Sequence, residues 1–184
     1  MDMINKDKWD LMLMDAPLSV TTRLHACEDI NERDDFHPEP NTLIHIQIVF
    51  DRLVPFDDDN LLMAAILHDI TKPDTAKFNP KTGWITTPGH DFKSAKLMDR
   101  DPNIRQWLKN LGCDFDFVRC IVEQHIRVKQ IKQMRKHKQL ALMEMKVNNI
   151  PMWPTLQIFT MADTMNEPMD IEKIFKILKV GENE

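Results

Sequence analysis

Apolar residues recur at helical rather than alternating spacing almost throughout this chain, and that periodicity restricts its fold more than any other feature. Leu43, Ile46, Phe50 and Leu53 fall on one helical stripe; Val118, Ile121 and Val122 make a second, and Ile171, Ile174, Phe175 and Leu178 a third. The chain therefore reads as all-α. Start signals agree: His37-Pro38-Glu39-Pro40-Asn41 precedes a helix from about Thr42, and Asp57-Asp58-Asp59-Asn60 precedes another from about Leu61. Asn and acidic residues at those points cap orphan N–H groups and complement the helix dipole. An Asp triplet also suits a nucleotidyltransferase metal site, but that chemistry needs strands and a Gly-rich loop, so capping is the reading adopted. Between Thr71 and Pro88 the turn sequence around Asn79-Pro80-Lys81-Thr82-Gly83 lies between short β-prone stretches, which predicts a small hairpin insert near residues 76–87. No repeat, low-complexity segment or linker divides the chain, so residues 1–184 read as a single domain.

Composition removes several function classes. The four glycines (Gly83, Gly89, Gly112, Gly181) are too scattered for the loops that let a backbone approach phosphates closely, which excludes Rossmann and P-loop sites. No apolar run reaches the roughly 18 residues of a membrane span, and the charged first ten residues contain no signal-peptide core, so the expectation is a cytoplasmic protein with no membrane partner. Three cysteines without a C-x-x-C make neither a disulfide framework nor a Cys-based zinc site. The 13 methionines read as adaptable core filler. Although the net charge is −5, Arg127, Lys129, Lys132, Arg135, Lys136 and Lys138 form a basic segment at 127–138. It reads as a solvated helix face or as a positive rim that attracts nucleic acid or phosphorylated substrates.

The chemistry lies with polar residues placed on apolar stripes. His68 and Asp69 end the strongly apolar run Leu61–Leu67, where an ionisable pair is costly unless its burial is compensated. A metal ion would do so. His125 completes the stripe of Val118, Ile121 and Val122, Asp163 completes that of Leu156 and Phe159, and His45 lies near the start of an apolar helix. Imidazole and carboxylate together suit a divalent ion such as Mn, Fe, Co, Ni or Zn, and only a carboxylate bridges two ions, which makes Asp69 the natural bridge.

The order His45, His68-Asp69, His90, His125, Asp163 resembles the HD superfamily of metal-dependent phosphohydrolases in its six-ligand, two-metal form. The local match is closest to the HD domain of bacterial CCA-adding tRNA nucleotidyltransferases and poly(A) polymerase-like proteins. His37-Pro38-Glu39 resembles that family's H-P-E segment; Ala65-Ile66-Leu67-His68-Asp69-Ile70-Thr71-Lys72-Pro73-Asp74-Thr75 resembles its A-L-L-H-D-I-G-K-P-x-T; Gly89-His90-Asp91-Phe92-Lys93-Ser94-Ala95 resembles its G-H-E-x-x-S-A. The likeness covers about residues 37–163. Thr71 stands where the family usually has Gly, the His90-to-His125 interval is one that varies widely in the family, and no nucleotidyltransferase motif is present, so only hydrolysis carries over.

The resemblance implies an HD-type helical bundle in which His45, His68, Asp69 and Asp163 hold one metal and Asp69, His90 and His125 a second. It also implies metal-dependent hydrolysis of nucleotide or RNA-end phosphoesters by a metal-activated water, as a 2′,3′-cyclic phosphodiesterase/phosphatase or nucleotidase. Asp69 and Lys72 would be catalytic, Lys72 as a cation on the phosphate in the transition state or, alternatively, as a helix C-terminal charge. Arg23 and Arg127 are further phosphate-binding candidates. His25 and His37 read as supporting or surface residues, and His137 as part of the basic segment. Two other readings are an HD-type diiron oxygenase and a non-catalytic nucleic-acid-binding module.

Overall fold

The computed structural model describes residues 5–31 and 39–164 and is mostly helical. In chain order the elements are α1 (Lys6–Leu13), α2 (Leu18–Ala26), α3 (Thr42–Leu53), α4 (Asp59–Leu67) and the short α5 (Lys72–Thr75). A hairpin of β1 (Lys77–Asn79) and β2 (Trp84–Thr86) follows, then α6 (His90–Arg100), α7 (Pro102–Asn110), α8 (Phe115–Lys129) and α9 (Lys136–Met143). A second hairpin, β3 (Lys146–Val147) and β4 (Ile150–Pro151), leads into α10 (Trp153–Thr164). His37 with Pro38, and the stripe of Ile171, Ile174, Phe175 and Leu178, lie outside the described residues.

A helix that is apolar all round has no face to give to water and must run through the interior. Helix α4 does so: Leu61 to Leu67 are all buried, none more than 3% exposed. It packs between α3 and α8, while α8 also packs on α6, α7 and α10, and α10 closes back onto α3. Trp9 of α1 meets Phe50 of α3 edge-on at 5.2 Å between ring centroids, which brings the N-terminal helices onto the same core. All three cysteines are buried. Among the described residues no helix is long and apolar enough to cross a membrane.

The caps fall where the sequence marks them. Asn41 Oδ1 accepts from Ile44 N at 3.0 Å at the start of α3, and Asp58 Oδ1 from Asn60 N at 2.9 Å at the start of α4. The α4 helix thus begins at Asp59, two residues before the apolar run. The first hairpin pairs Lys77 with Thr86, Phe78 with Ile85 and Asn79 with Trp84. Gly89 follows it in the left-handed conformation at φ +73°, which turns the chain so that His90 becomes the first residue of α6. The second hairpin was not expected from the sequence. Its two-residue loop places Asn148 and Asn149 at φ +50° and +66°, the turn type that matches strand twist and for which Asn is suited.

Asp114 fixes the start of the central α8, its Oδ1 accepting from Asp116 N at 2.9 Å and from Phe117 N at 3.1 Å. Asp114→Ala should cost about 1 kcal/mol, seen as a lower urea midpoint with an unchanged slope.

Candidate metal centre

Five helices bring their polar residues to one interior point. Helix α3 contributes His45 from its first turn, α6 contributes His90 as its first residue, α8 contributes His125, and α10 contributes Asp163 next to its last residue. Helix α4 ends at Leu67, and the next two residues, His68 and Asp69, continue into the same space. All six side chains are buried, none more than 7% exposed. They form two groups, His45/His68/Asp163 and Asp69/His90/His125, with one ligand atom from each residue lying within 4.8 Å of the others in its group.

Asp69 joins the groups. Its Oδ2 lies 3.1 Å from His68 Nε2 and 3.7 Å from His45 Nε2; its Oδ1 lies 3.0 Å from His90 Nε2 and 3.7 Å from His125 Nε2. Each carboxylate oxygen thus faces a different group. On the far side, Asp163 Oδ1 lies 3.0 Å from His45 Nε2 and 3.9 Å from His68 Nε2.

The ring orientations are set by the backbone. His68, His90 and His125 place Nδ1 on the carbonyl three residues earlier: Ala65 at 2.8 Å, Thr87 at 2.6 Å and Val122 at 2.8 Å. A carbonyl only accepts, so Nδ1 must carry the proton, and in the neutral ring Nε2 presents its lone pair to the centre. His45 is backed by a carboxylate instead, with Glu39 Oε1 3.7 Å from its Nδ1. Phe159 packs edge-on against His68 and His125 at 5.5 and 6.3 Å between ring centroids.

Several supporting residues were not tied to this centre by the sequence. Glu39 was legible only as part of a motif. Thr71 anchors the start of α6, because its Oγ1 donates to the His90 carbonyl at 2.9 Å and lies 3.0 Å from Ser94 Oγ. Lys129 leaves the basic segment and sets its Nζ 2.6 Å from Asp163 Oδ2. The signal for it was helical: Lys129 follows His125 by four residues and so shares its face of α8.

Lys72 opens α5 rather than closing α4, and its buried Nζ lies 2.8 Å from Asp69 Oδ2. Arg127 lies in the wall of an open cavity of about 530 Å³ beside His90, with Thr87, Phe92 and Gln130. Arg23 is held elsewhere, by Asp74 at 3.1 Å and the Ser19 carbonyl at 2.9 Å, and the structure does not bring it to the donor groups. His25 is on the surface near Glu28, and His137 is exposed. The basic segment is not one helix face, because α8 ends at Lys129 and α9 begins at Lys136; Lys132, Arg135, Lys136 and Lys138 are exposed.

Charge keeps the two aspartates ionised. Burial pushes the Asp69 carboxyl up, but His68, Lys72 and His90 outweigh it and hold the group well below the usual carboxylate range. For Asp163 burial is likewise overcome, by Lys129 first and then by the hydrogen bond to His45. Burial works against a proton on His45, yet Asp163 and Glu39 raise it to about 9. His90 is raised by Asp69 against its burial, whereas burial and the His68 charge lower His125. His68 Nε2 and Asp69 Oδ1 are buried without a hydrogen bond, although both point at the centre. Ionised carboxylates, lone pairs aimed inward and unsatisfied acceptors fit the donor set of a metal ion, and each group can hold one. Comparison with family models, curated proteins and solved structures finds no match for the chain.

A divalent ion entering the His45 group must displace the His45 proton. Affinity should therefore rise with pH, by up to about tenfold per unit for each proton released, and level off above about pH 9. Calorimetry in buffers of different ionisation heat counts the protons; pH-independent binding would contradict the assignment. In the metal-free protein the sign is opposite. The raised His45 stabilises the fold fully below its ordinary 6.5, and that increment is lost as pH climbs through about 9.

Proposed function

We propose that the chain is a two-metal phosphohydrolase of the HD type that hydrolyses phosphoester bonds of nucleotides or RNA ends. The observation that carries this reading is Asp69, whose two oxygens face two separate buried donor groups. The six residues and their order resemble the HD pattern, and the His-Asp pair follows directly on the end of an apolar helix. Bound ions from among Mn, Fe, Co, Ni and Zn would supply Lewis-acid polarisation of a phosphoryl oxygen and a lowered pKa for the attacking water.

The chain's own residues supply the remainder. His45, His68 and Asp163, with Asp69 Oδ2, would hold one ion, and His90 and His125, with Asp69 Oδ1, the other. Lys72 fixes an ammonium at the junction of the groups, where a phosphoryl group would gather charge, and does so in a site nearly sealed from water. Arg127 extends this positive field along the cavity beside His90. Cations at these positions would favour an anionic substrate, and iron content and oxygen consumption separate this reading from the oxygenase.

The cavity also accounts for a nucleoside. Its volume of about 530 Å³ falls within the range of small-molecule sites, and the Phe92 ring, 48% exposed, offers a face on which a base can stack. The exposed Lys132, Arg135, Lys136 and Lys138 would meet the backbone of a longer RNA.

The deciding experiment assays the metal-loaded protein against 2′,3′-cyclic and linear nucleoside phosphates and RNA ends. Hydrolysis should be metal-dependent and lost in Asp69→Asn, and His90→Ala should reduce bound metal from two ions per chain to one. Turnover retained in Asp69→Asn, or no turnover of any phosphoester, would refute the proposal. Phe92→Ala should raise KM about tenfold for nucleotides, in keeping with the stacking energy of one base, while leaving a phosphoester without a base unaffected.

A further inference from the structure

The two carboxylates of the centre are each paired with a lysine. Lys72 Nζ meets Asp69 Oδ2, the oxygen that faces His68 and His45, and Lys129 Nζ meets Asp163 Oδ2 at 2.6 Å. Asp69 is the carboxylate between the groups, so the Lys72 ammonium bears on both, opposing a proton on His45 and on His90, whereas Lys129 is paired with Asp163, a member of one group. The groups are therefore alike in ligands and unlike in charge. One has the Lys129 ammonium held against its Asp163 in addition to the shared Lys72; the other has the shared Lys72, with Asp69 Oδ1 3.0 Å from His90 Nε2.

Lys129 is not a surface lysine that happens to lie near an acid. Its side chain is 23% exposed, against 1% for Asp163, and it follows His125 by one turn of α8, so the helix itself aims it at the centre. Water therefore does little to screen its charge from an ion bound at Asp163, and at an effective dielectric of about 20 a like charge within a few ångströms weakens binding by well over tenfold.

We propose that Lys129 is a built-in counter-charge that holds the His45/His68/Asp163 group against metal, so that the Asp69/His90/His125 group fills first. Filling of the second group frees Lys129 from Asp163. Its ammonium is then available, at the edge of the centre, to a phosphate that arrives after both ions. Lys129 is a positioning residue on this account, acting through Asp163.

The inference rests on the metal reading of both groups and not on hydrolysis. It is tested by titrating the metal-free protein with Zn or Mn and following the bound ion by calorimetry. The wild type should bind in two steps, with His90→Ala removing the tighter and His45→Ala the weaker. Lys129→Met, which keeps the stem and removes the charge, should tighten the weaker step at least about tenfold and leave the other unchanged. Lys129→Arg, which keeps the charge, should resemble the wild type. An unchanged weaker step in Lys129→Met, or equal tightening in Lys129→Arg, would overturn the proposal. Lys129→Gln serves if the Met variant is unstable. A variant that folds only with metal supports the same linkage, through a metal-induced rise in melting temperature larger than that of the wild type. Variants unfolded with and without metal would assign Lys129 to the fold alone and overturn it. Ions bound without phosphoester turnover would remove the enzyme reading and leave this one standing; no ion at either group would overturn both.

Discussion

Helix α4 has no polar face, and the rest of the molecule is arranged around that fact. A helix buried on every side must be enclosed by others, here α3 and α8, and whatever residues follow its last turn emerge in the interior. Those residues are His68 and Asp69. Once an imidazole and a carboxylate are committed to that position, the surrounding helices must either exclude polar groups and leave the pair unsatisfied or bring compensating groups to meet it. They bring them: His45, His90, His125 and Asp163 arrive from four further helices, with Lys72, Lys129 and Glu39 behind them.

A cluster of this kind is held together by geometry more than by net attraction. Burying ion pairs stabilises a fold little, since the desolvation of each charge offsets most of what its partner returns. The three Nδ1–H···O=C contacts within local turns add orientation: each of these histidines is held by its own local backbone, so its Nε2 is aimed without the help of a bound ion. Preorganisation of this sort spares a bound ion the work of turning its ligands, and it explains why the centre tolerates unsatisfied atoms such as His68 Nε2 and Asp69 Oδ1.

Much of this was legible in the sequence, because helical periodicity and ligand placement are the same signal. His125 on the stripe of Val118, Ile121 and Val122, and Asp163 on that of Leu156 and Phe159, had to point inward if the apolar residues did. Caps at Asn41 and Asp58 and the hairpin through Gly83 were readable for local reasons. The turn at Asn148-Asn149 was readable in principle, being an Asn pair between short β-prone residues, but so brief a strand pair leaves almost no period-two pattern. What sequence did not disclose was which member of a charge run turns inward. Lys129 differs from Lys132 and Lys136 only in lying four residues beyond an inward His on the same helix, and composition averages over that distinction.

The balance of charge then decides what the centre can do. Glu39, Asp69 and Asp163 are carboxylates; Lys72 and Lys129 pair with the latter two, and Glu39 stands behind His45. Without metal, the Arg52 guanidinium also bears on Glu39 and Asp163, and against its burial the same two carboxylates raise His45 to about 9. With cations at both groups, the lysines would become surplus positive charge beside a buried site. The same two ammonium groups thus serve the metal-free fold by covering carboxylates and would serve a bound phosphate by meeting its oxygens, with Asp69 and Asp163 as the common hinge of both arrangements. That change needs the lysines to be long and flexible and the carboxylates to be fixed, which is what a lysine at the start of α5, another at the end of α8, and ligands on the faces of packed helices provide.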